Sequence, residues 1–333
     1  MYKKNCGLHK LRKGSSMLSC SEAFCSIKRF AIVMIVLFFF ACAGTKTATK
    51  NPESLVSGMQ EITKGTNWYQ KGCRRRAMES FFRAFEAFTL GDHQNGIAMS
   101  LNNIGNIYRD DGDIATSILF FNDAARIYAE IQDDPGAIQA LANKAAALIE
   151  ADRLEEAADS LEAASKIAGR RNIRSISLMT RNAILLKRKG ELRKAEALLY
   201  QAVGHADPIN YSDTALANAA LGQLLLETGK TDKAIERMKT ALEADRLSGY
   251  VAGIADDLSI LADLYLRNDD VALAVSHFKR SMMVHALLGN KEKVEELTDQ
   301  LEKACEKTAC HLDPFHQLIP YYMEKAALGK RCD

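Results

Sequence analysis

Residues 101–113 read LNNIGNIYRDDGD, a stretch in which large apolar residues lie three or four positions apart and a glycine follows. This spacing places the apolar residues on one face of an α-helix, and glycine is typical of the position where a helix ends. A second segment with helical spacing follows at once, from Ser117 through Phe121 to Ala124. The stretch therefore predicts two helices joined by a short turn.

The same arrangement recurs along the chain with a period close to 40 residues. The predicted turn inside each copy falls at Gly72, Gly112, Asp152, Gly190, Gly229 and Asp269. Small residues lie where the two helices of a copy would approach each other, as at Gly105, Gly222 and Ala262. Large apolar residues would then fill the space between successive copies. The repeats predict a helical solenoid.

The copies resemble the tetratricopeptide repeat (TPR), whose pattern has a large residue, Leu-Gly, Tyr, and then Ala and Phe. The resemblance covers six repeats over residues 58–290, and the period is similar to that of kinesin-light-chain TPRs, which implies longer second helices or loops. It implies an all-α fold, a right-handed TPR-type superhelix of about six helix pairs. We expect residues 291–333 to supply a capping helix and a cysteine-containing tail, because a solenoid needs a polar end.

Charge is divided unevenly along the chain. Residues 1–41 hold seven of the 44 basic residues and one of the 42 acidic residues, so the rest has 37 basic and 41 acidic residues, a net charge of −4. An acidic body neutralises few phosphates, so we expect no nucleic-acid partner. The sequence contains no HExxH, GxSxG or GxGxxG motif. We therefore expect no enzyme and no resident cofactor.

The N-terminal segment has the features of an export signal. Residues 30–41 read FAIVMIVLFFFA, with Lys28 and Arg29 before them and small residues after them. Twelve apolar residues are fewer than the roughly 20 that a membrane-spanning helix needs, which favours a signal peptide over residues 1–41. Residues 39–42, FFAC, resemble the lipobox of bacterial lipoproteins. The resemblance implies cleavage before Cys42 and acylation of this cysteine, with palmitate among its chains.

Such an anchor predicts a membrane-bound lipoprotein in a bacterial cell envelope, facing the periplasm or the cell exterior. Residues 42–57 are small and polar, as in a flexible tether between lipid and folded domain. Met17 is an alternative start of the signal peptide. An anchor that is never cut is the alternative to acylation.

The C-terminal cysteines allow three interpretations. The residues that carry them are Cys305, Cys310, His311, His316 and Cys332. The C-x4-C-H sequence resembles a longer-spaced form of the c-type haem attachment motif, and the first four of these residues are also a donor set for zinc. We favour a disulfide, either Cys305–Cys310 or one of them with Cys332, as in other exported proteins, or free thiols. We expect Cys73, in the first predicted turn, to have no partner.

First helices line the concave surface in the TPR family, so the resemblance implies a groove for protein or peptide partners. The first-helix residues that would face it are Asn102, Asn103, Asn106, Arg109, Asn143, Arg181 and Lys187. Asparagine amides pair with a peptide backbone, and cations hold a carboxylate. Asn106, Asn143 and Arg181 match a clamp of chaperone-binding TPRs, but Asn102 and Ser177 replace two of its lysines. We therefore expect a noncatalytic interaction scaffold, with an acidic or extended peptide as its ligand.

A basic band interrupts the acidic body. Its members are Arg170, Arg171, Arg174, Arg181, Lys187, Arg188, Lys189, Arg193 and Lys194. The band either steers an acidic partner or anionic lipid headgroups, or is a solvated helix face.

Overall fold

The computed structural model describes residues 52–306, 310, 313–329 and 332. Within these ranges the chain forms fourteen α-helices and no strand. The helices are α1 (Glu53–Gln70), α2 (Arg74–Leu90), α3 (Gln94–Asp110), α4 (Ile114–Glu130), α5 (Asp134–Glu150), α6 (Leu154–Arg171), α7 (Ile176–Arg188), α8 (Leu192–His205), α9 (Tyr211–Glu227), α10 (Thr231–Ser248), α11 (Val251–Arg267), α12 (Val271–Leu288), α13 (Lys291–Cys305) and α14 (Asp313–Ala327). Helices α1 to α12 pack as six consecutive pairs, each against the next, which is the architecture of a TPR superhelix.

A residue in the left-handed conformation ends the first helix of every pair. These residues are Gly72, Gly112, Asp152, Gly190, Gly229 and Asp269, with φ between +58° and +82°. The following amide donates to the carbonyl five residues earlier, as Asp113 N does to Tyr108 O at 2.9 Å. This bond satisfies a carbonyl that the helix end leaves unpaired. All six turns predicted from the sequence are confirmed.

The 40-residue period comes from the helices of both layers. Ten of the twelve helices α1 to α12 have 17 or 18 residues, and their connections have only two to five. The expectation of longer second helices or loops is therefore incomplete, because the first helices are as long as the second ones. The fourth pair is the exception, since α7 has 13 residues and α8 has 14.

Contacts between glycines and large side chains hold the two helices of a pair together. Phe121 of α4 is completely buried and its ring covers Gly105 of α3. A Cβ added at Gly105 would lie 2.7 Å from the ring, closer than van der Waals contact, so only glycine permits this approach. Equivalent contacts within a pair join Gly65 to Phe81 and Gly222 to Met238. Contacts of the same kind between successive pairs join Gly96 to Phe88 and Gly136 to Tyr128.

The N-terminal end of the repeat array differs from the boundary that we expected, whereas the helix after the repeats begins at Lys291, where we expected the cap. Helix α1 begins at Glu53, inside the predicted tether, because Leu55 already packs against the buried core of the first two pairs. At the other end, α13 buries Val294, Leu297 and Leu301 against the last pair and leaves its charged face exposed. It therefore covers the end of the core as a capping helix does.

The two ends of the superhelix are joined to each other. Cys73, in the turn between α1 and α2, forms a disulfide with Cys332, 259 residues later in the chain. Tyr69, near the end of α1, stacks on Tyr250, which precedes α11, with ring centroids 6.1 Å apart. The expectation that Cys73 has no partner is wrong, because the superhelix turns far enough to bring its tail back to its first pair.

None of the described helices is both long enough and apolar enough to cross a bilayer. The predicted signal peptide of residues 1–41, the predicted acylation site Cys42 and most of the predicted tether lie outside the described residues.

Candidate functional site

The inner surface of the superhelix, called the groove below, is formed by the first helices of successive pairs. Polar side chains about 40 residues apart contact one another across it. Asn143 Nδ2 of α5 donates to Asn102 Oδ1 of α3 at 3.1 Å. Two ion pairs have the same spacing: Arg109 with Glu150 at 3.7 Å and Lys187 with Glu227 at 2.6 Å. These contacts link neighbouring first helices.

Several predicted groove residues already have partners within the protein. Asn143 is only 5% exposed, and its Oδ1 accepts a hydrogen bond from Gln139 while its amide donates to Asn102. Asn103 donates to the carbonyl of Met99 in its own helix. The amide of Asn143 therefore links α5 to α3, and that of Asn103 is used within α3, which leaves both little capacity for a ligand.

Asn106 and Arg181 have free capacity. Asn106 is half-buried on α3 and makes no side-chain hydrogen bond to any residue that the structure describes. Arg181 lies on α7, and its Nε is buried without a hydrogen-bond partner. These two side chains offer an amide and a guanidinium to a ligand in the groove.

Near the ends of α1, α3 and α5, side chains from five parts of the chain converge in what we call the central cluster. Its members are Tyr69, Arg109, Asp110, Glu150, Arg181 and Tyr250. Tyr69 Oη donates to Asp110 Oδ2 at 2.5 Å, and Arg109 pairs with Asp110 at 2.9 Å. Four members thus form a hydrogen-bonded and ion-paired chain: Tyr69, Asp110, Arg109 and Glu150.

Arg109 and Arg181 have different electrostatic surroundings. Burial works against the charge of Arg109, but Asp110, Tyr69 and Glu150 outweigh it and raise the pKa of this side chain. Burial, with the nearby charge of Arg109, lowers the pKa of Arg181 to about 10. Arg181 is therefore still protonated at neutral pH. No carboxylate of the described residues lies within ion-pairing distance of it, although Glu150 attracts it from farther away.

The two tyrosines of the cluster stay protonated. Burial, followed in effect by the charge of Asp110, raises the pKa of Tyr250 to about 12. Burial also raises the pKa of Tyr69, reinforced by Tyr250 and Asp110. The cluster therefore presents a phenol pair beside a guanidinium that lacks a close counter-ion. The hydroxyl of Tyr69 already donates to Asp110, so Tyr250 and Arg181 are the donors that remain for an anion, and both rings add apolar contact area.

Sequence reasoning identified Arg109 and Arg181 but missed four members of the cluster. Tyr69 lies 40 positions before Arg109, so the repeat period itself could have identified it. Asp110 and Glu150 have the same spacing relative to each other. Tyr250 lies in a turn between two pairs, and no local pattern in the sequence identifies it.

The C-terminal cysteines form disulfides. Cys305 is bonded to Cys310, and both pack against the core of the last three pairs. Cys332 is bonded to Cys73 rather than to either of them. A sulfur atom in a disulfide is neither a zinc thiolate nor the thioether of a covalent haem. As bonded, Cys305 and Cys310 therefore do not fit either group.

His311 and the side chain of His316 lie outside the described residues. Within the part of the chain that the structure describes, no group of three or more His, Cys, Asp or Glu side chains is arranged to hold a metal ion.

Known families and structures resemble this chain in its repeats and its fold. A family model described as tetratricopeptide repeat matches residues 96–170, and a second one with the same description matches residues 215–246. No curated protein sequence matches the chain.

Three solved structures illustrate the similarity of the fold. A Rap protein complexed with competence and sporulation factor is 16% identical, with 77% of each chain covered and a TM-score of 0.53. A Rap conjugation gene regulator of a plasmid, in complex with a Phr peptide, is 15% identical, with 81% of each chain covered and a TM-score of 0.53. The APC/C hetero-tetramer Cut9–Hcn1 is 15% identical over 76% of this chain and 46% of that one, also with a TM-score of 0.53.

At these identities the similarity concerns the fold alone. Together with the helix pairs and turns described above, it leads to one conclusion: residues 96–170 and 215–246 match tetratricopeptide repeats, and the chain folds as a TPR superhelix.

Proposed function

We propose that this protein is a noncatalytic scaffold that binds a peptide or protein partner in the groove. The observation that carries the proposal is Arg181, a protonated guanidinium with a buried Nε and no carboxylate of the described residues at ion-pairing distance. A buried cation without a counter-ion is costly, so a ligand carboxylate at this position would be favoured.

The neighbouring side chains suit an extended acidic segment. Asn106 offers both a donor and an acceptor to a peptide backbone, and Tyr69 and Tyr250 offer ring surface beside Arg181. Arg109 and Lys187 are neutralised by Asp110, Glu150 and Glu227, so they contribute less to binding. Arg181 is therefore the main point of attachment.

Two comparisons support this interpretation. The fold is that of interaction scaffolds, and the two Rap structures contain a bound factor or peptide. Those ligands belong to those proteins. For this chain the ligand class follows from the side chains of the groove.

We also propose that the scaffold is held at a bacterial envelope by a lipid on Cys42. The sequence of residues 28–44 supports this location. So do the two disulfides, because disulfides persist in oxidising compartments outside the cytosol. Metabolic labelling with an alkyne-bearing palmitate checks the anchor: the wild-type chain should be labelled and Cys42→Ser should not. Equal labelling of both would refute acylation at this residue.

The groove is tested by crosslinked co-purification from the native envelope. Arg181→Met removes the charge and keeps the aliphatic length, and Asn106→Ala removes the second free group. Lys233→Met is the control, because Lys233 is exposed on α10 and has no ion pair among the described residues. We expect a stoichiometric partner that both groove variants lose and the control retains.

Loss of one charge-assisted hydrogen bond weakens binding by about 1.5–3 kcal/mol, so the affinity of the purified partner should fall roughly 10- to 100-fold in Arg181→Met. A partner that all three variants retain equally would place binding outside the groove. No enriched partner in any sample would contradict the scaffold itself.

A further inference from the structure

The shortened fourth pair opens a second concave site on the molecule. Helices α7 and α8 are three to five residues shorter than the helices of the other pairs. The connections before and after this pair, residues 172–175 and 206–210, are the two longest connections from α1 to α12. A cleft of about 820 Å³ lies here, bounded by α6, the connection 172–175, α7 and the start of α8. Its volume is in the range of ligand pockets in proteins.

This cleft is called the outer cleft below. Its floor is apolar. Leu178 and Leu185 of α7 form its buried base, and Met179, Leu186 and Leu198 around them are only half-buried. An occupant that covered these side chains would remove apolar surface from water, at about 25 cal/mol for each Å². The floor therefore favours an occupant with apolar side chains.

The rim of the outer cleft is basic. Arg174 and Lys189 line it and are exposed, and no carboxylate of the described residues lies within ion-pairing distance of either. The acidic residue in the lining, Glu191, is paired with Lys194 at 2.5 Å. On a body whose net charge is −4, two uncompensated cations beside an apolar floor form a local positive field that attracts acidic groups.

The surrounding basic residues divide into two kinds. Arg171 and Arg188 are neutralised by Asp134 and Asp152, as expected of a solvated helix face. Arg170 and Arg193 are exposed and have no such partner among the residues described. The unpaired charge of the band is therefore concentrated near the outer cleft.

The outer cleft and the groove are lined by different residues. The cleft is lined by residues of α6, the connection 172–175, α7 and α8, and Arg181 is not among them. Arg181 interacts instead with Arg109 of α3, Glu150 of α5 and the rings of Tyr69 and Tyr250. Because Arg181 lies within one helical turn of Leu178 and Leu185, the Arg181→Met variant below distinguishes the two sites.

We propose that the outer cleft binds a short acidic segment of a partner protein in which carboxylates alternate with apolar side chains. Its apolar side chains cover Leu178 and Leu185, and its carboxylates pair with Arg174 and Lys189. The chain's own N-terminal segment does not suit the cleft, because residues 1–41 carry seven basic residues and one acidic residue. This site does not depend on the groove.

The test measures fluorescence anisotropy of a fluorescein-labelled peptide of alternating Glu and Leu residues, with a Lys–Leu peptide beside it, on the purified full-length chain. Two variants change the outer cleft: Arg174→Glu with Lys189→Glu reverses the rim, and Ser165→Trp fills the space from α6. The matched control reverses two exposed, unpaired lysines elsewhere, Lys233→Glu with Lys303→Glu. We expect the wild-type protein to bind the Glu–Leu peptide and not the Lys–Leu peptide. The two cleft variants should bind at least tenfold more weakly, and the control within twofold of wild type.

Hydrogen exchange should also show protection of residues 165–198 when the Glu–Leu peptide is bound. Equal weakening in the control would mean that net charge alone attracts the peptide, which overturns the proposal. So would loss of binding in Arg181→Met but not in the cleft variants, since the peptide would then occupy the groove. No binding by wild type would also refute the site. Circular dichroism verifies folding, and if Ser165→Trp does not fold, the rim variant decides.

Discussion

Replacing Cys73 by serine should destabilise this protein more than replacing Cys305, because their disulfides close loops of very different length. The Cys73–Cys332 bond spans 259 residues of sequence, whereas Cys305–Cys310 spans five. A disulfide limits the conformational freedom of the unfolded chain, and this effect grows with the logarithm of the loop length.

The loop-entropy relation gives the magnitudes. A loop of this length corresponds to about 5.6 kcal/mol at 25 °C for Cys73–Cys332, and the short loop to about 2 kcal/mol for Cys305–Cys310. Both values are upper bounds, because residual structure in the unfolded state reduces them. The expected difference between the two serine variants is therefore about 3.6 kcal/mol at most.

Part of this loss should appear as fraying of the ends. In an open solenoid each pair contacts only its neighbours, so the terminal pairs unfold first. The bridge from Cys73 to Cys332 ties the first turn to the tail, so Cys73→Ser should increase hydrogen exchange selectively in α1, α2 and α14. Cys305→Ser should leave exchange in α1 and α2 unchanged.

The assay is urea unfolding of wild type, Cys73→Ser and Cys305→Ser, followed by circular dichroism, with a reduced wild-type sample as control. Reduction should lower the unfolding midpoint of wild type to or below that of Cys73→Ser. If Cys73→Ser has the midpoint and the exchange pattern of wild type, the closure contributes nothing and the reasoning is refuted.

Two further predictions concern the core. Gly105→Ala should lower the free energy of unfolding by about 1–3 kcal/mol, because the added Cβ would collide with the ring of Phe121. Gly204→Ala should be neutral or stabilising, because a Cβ added there would meet no other part of the protein within 4 Å. Thermal melting of both variants checks this, and equal melting temperatures would contradict it. Burial, then the charges of Asp245 and Asp256, raises the pKa of Asp257 from 3.8 to about 8. Between these values the unfolded chain ionises this carboxyl while the folded chain keeps it neutral, so the free energy of unfolding falls as the pH rises. Asp257→Asn should therefore gain stability relative to wild type by about 1 kcal/mol per pH unit between pH 5 and 7, and urea unfolding that shows a constant difference over this range would disprove it.

Local features of this fold could be predicted from sequence. The spacing of Leu101, Ile104 and Tyr108 identified a helix, and the turn at Gly112 followed from the need for a positive φ. Each of these signals involves residues within one repeat. They can therefore be recognised in a single repeat, without knowing how the repeats pack on one another.

Features that depend on curvature could not be predicted in this way. Cys73 comes close to Cys332 because each helix pair is rotated slightly relative to the pair before it. No single residue or local sequence pattern predicts the size of this rotation. The same accumulated turn brings Tyr69 to Tyr250 and completes the central cluster. The role of Asn143 could not be predicted for a different reason. Its residue type and position suit a peptide ligand, but its amide donates to Asn102 of the neighbouring first helix.

The joined ends also restrict how this protein can evolve. Arrays of repeats commonly gain or lose copies, since an open array functions at many lengths. Here one additional copy would rotate Cys332 around the superhelix axis and away from Cys73. With one copy fewer, the superhelix would not turn far enough for Cys332 to reach Cys73. The number of copies is therefore fixed by the closure. We expect homologous chains that retain both cysteines to retain six pairs, and chains with other copy numbers to have lost at least one of the two.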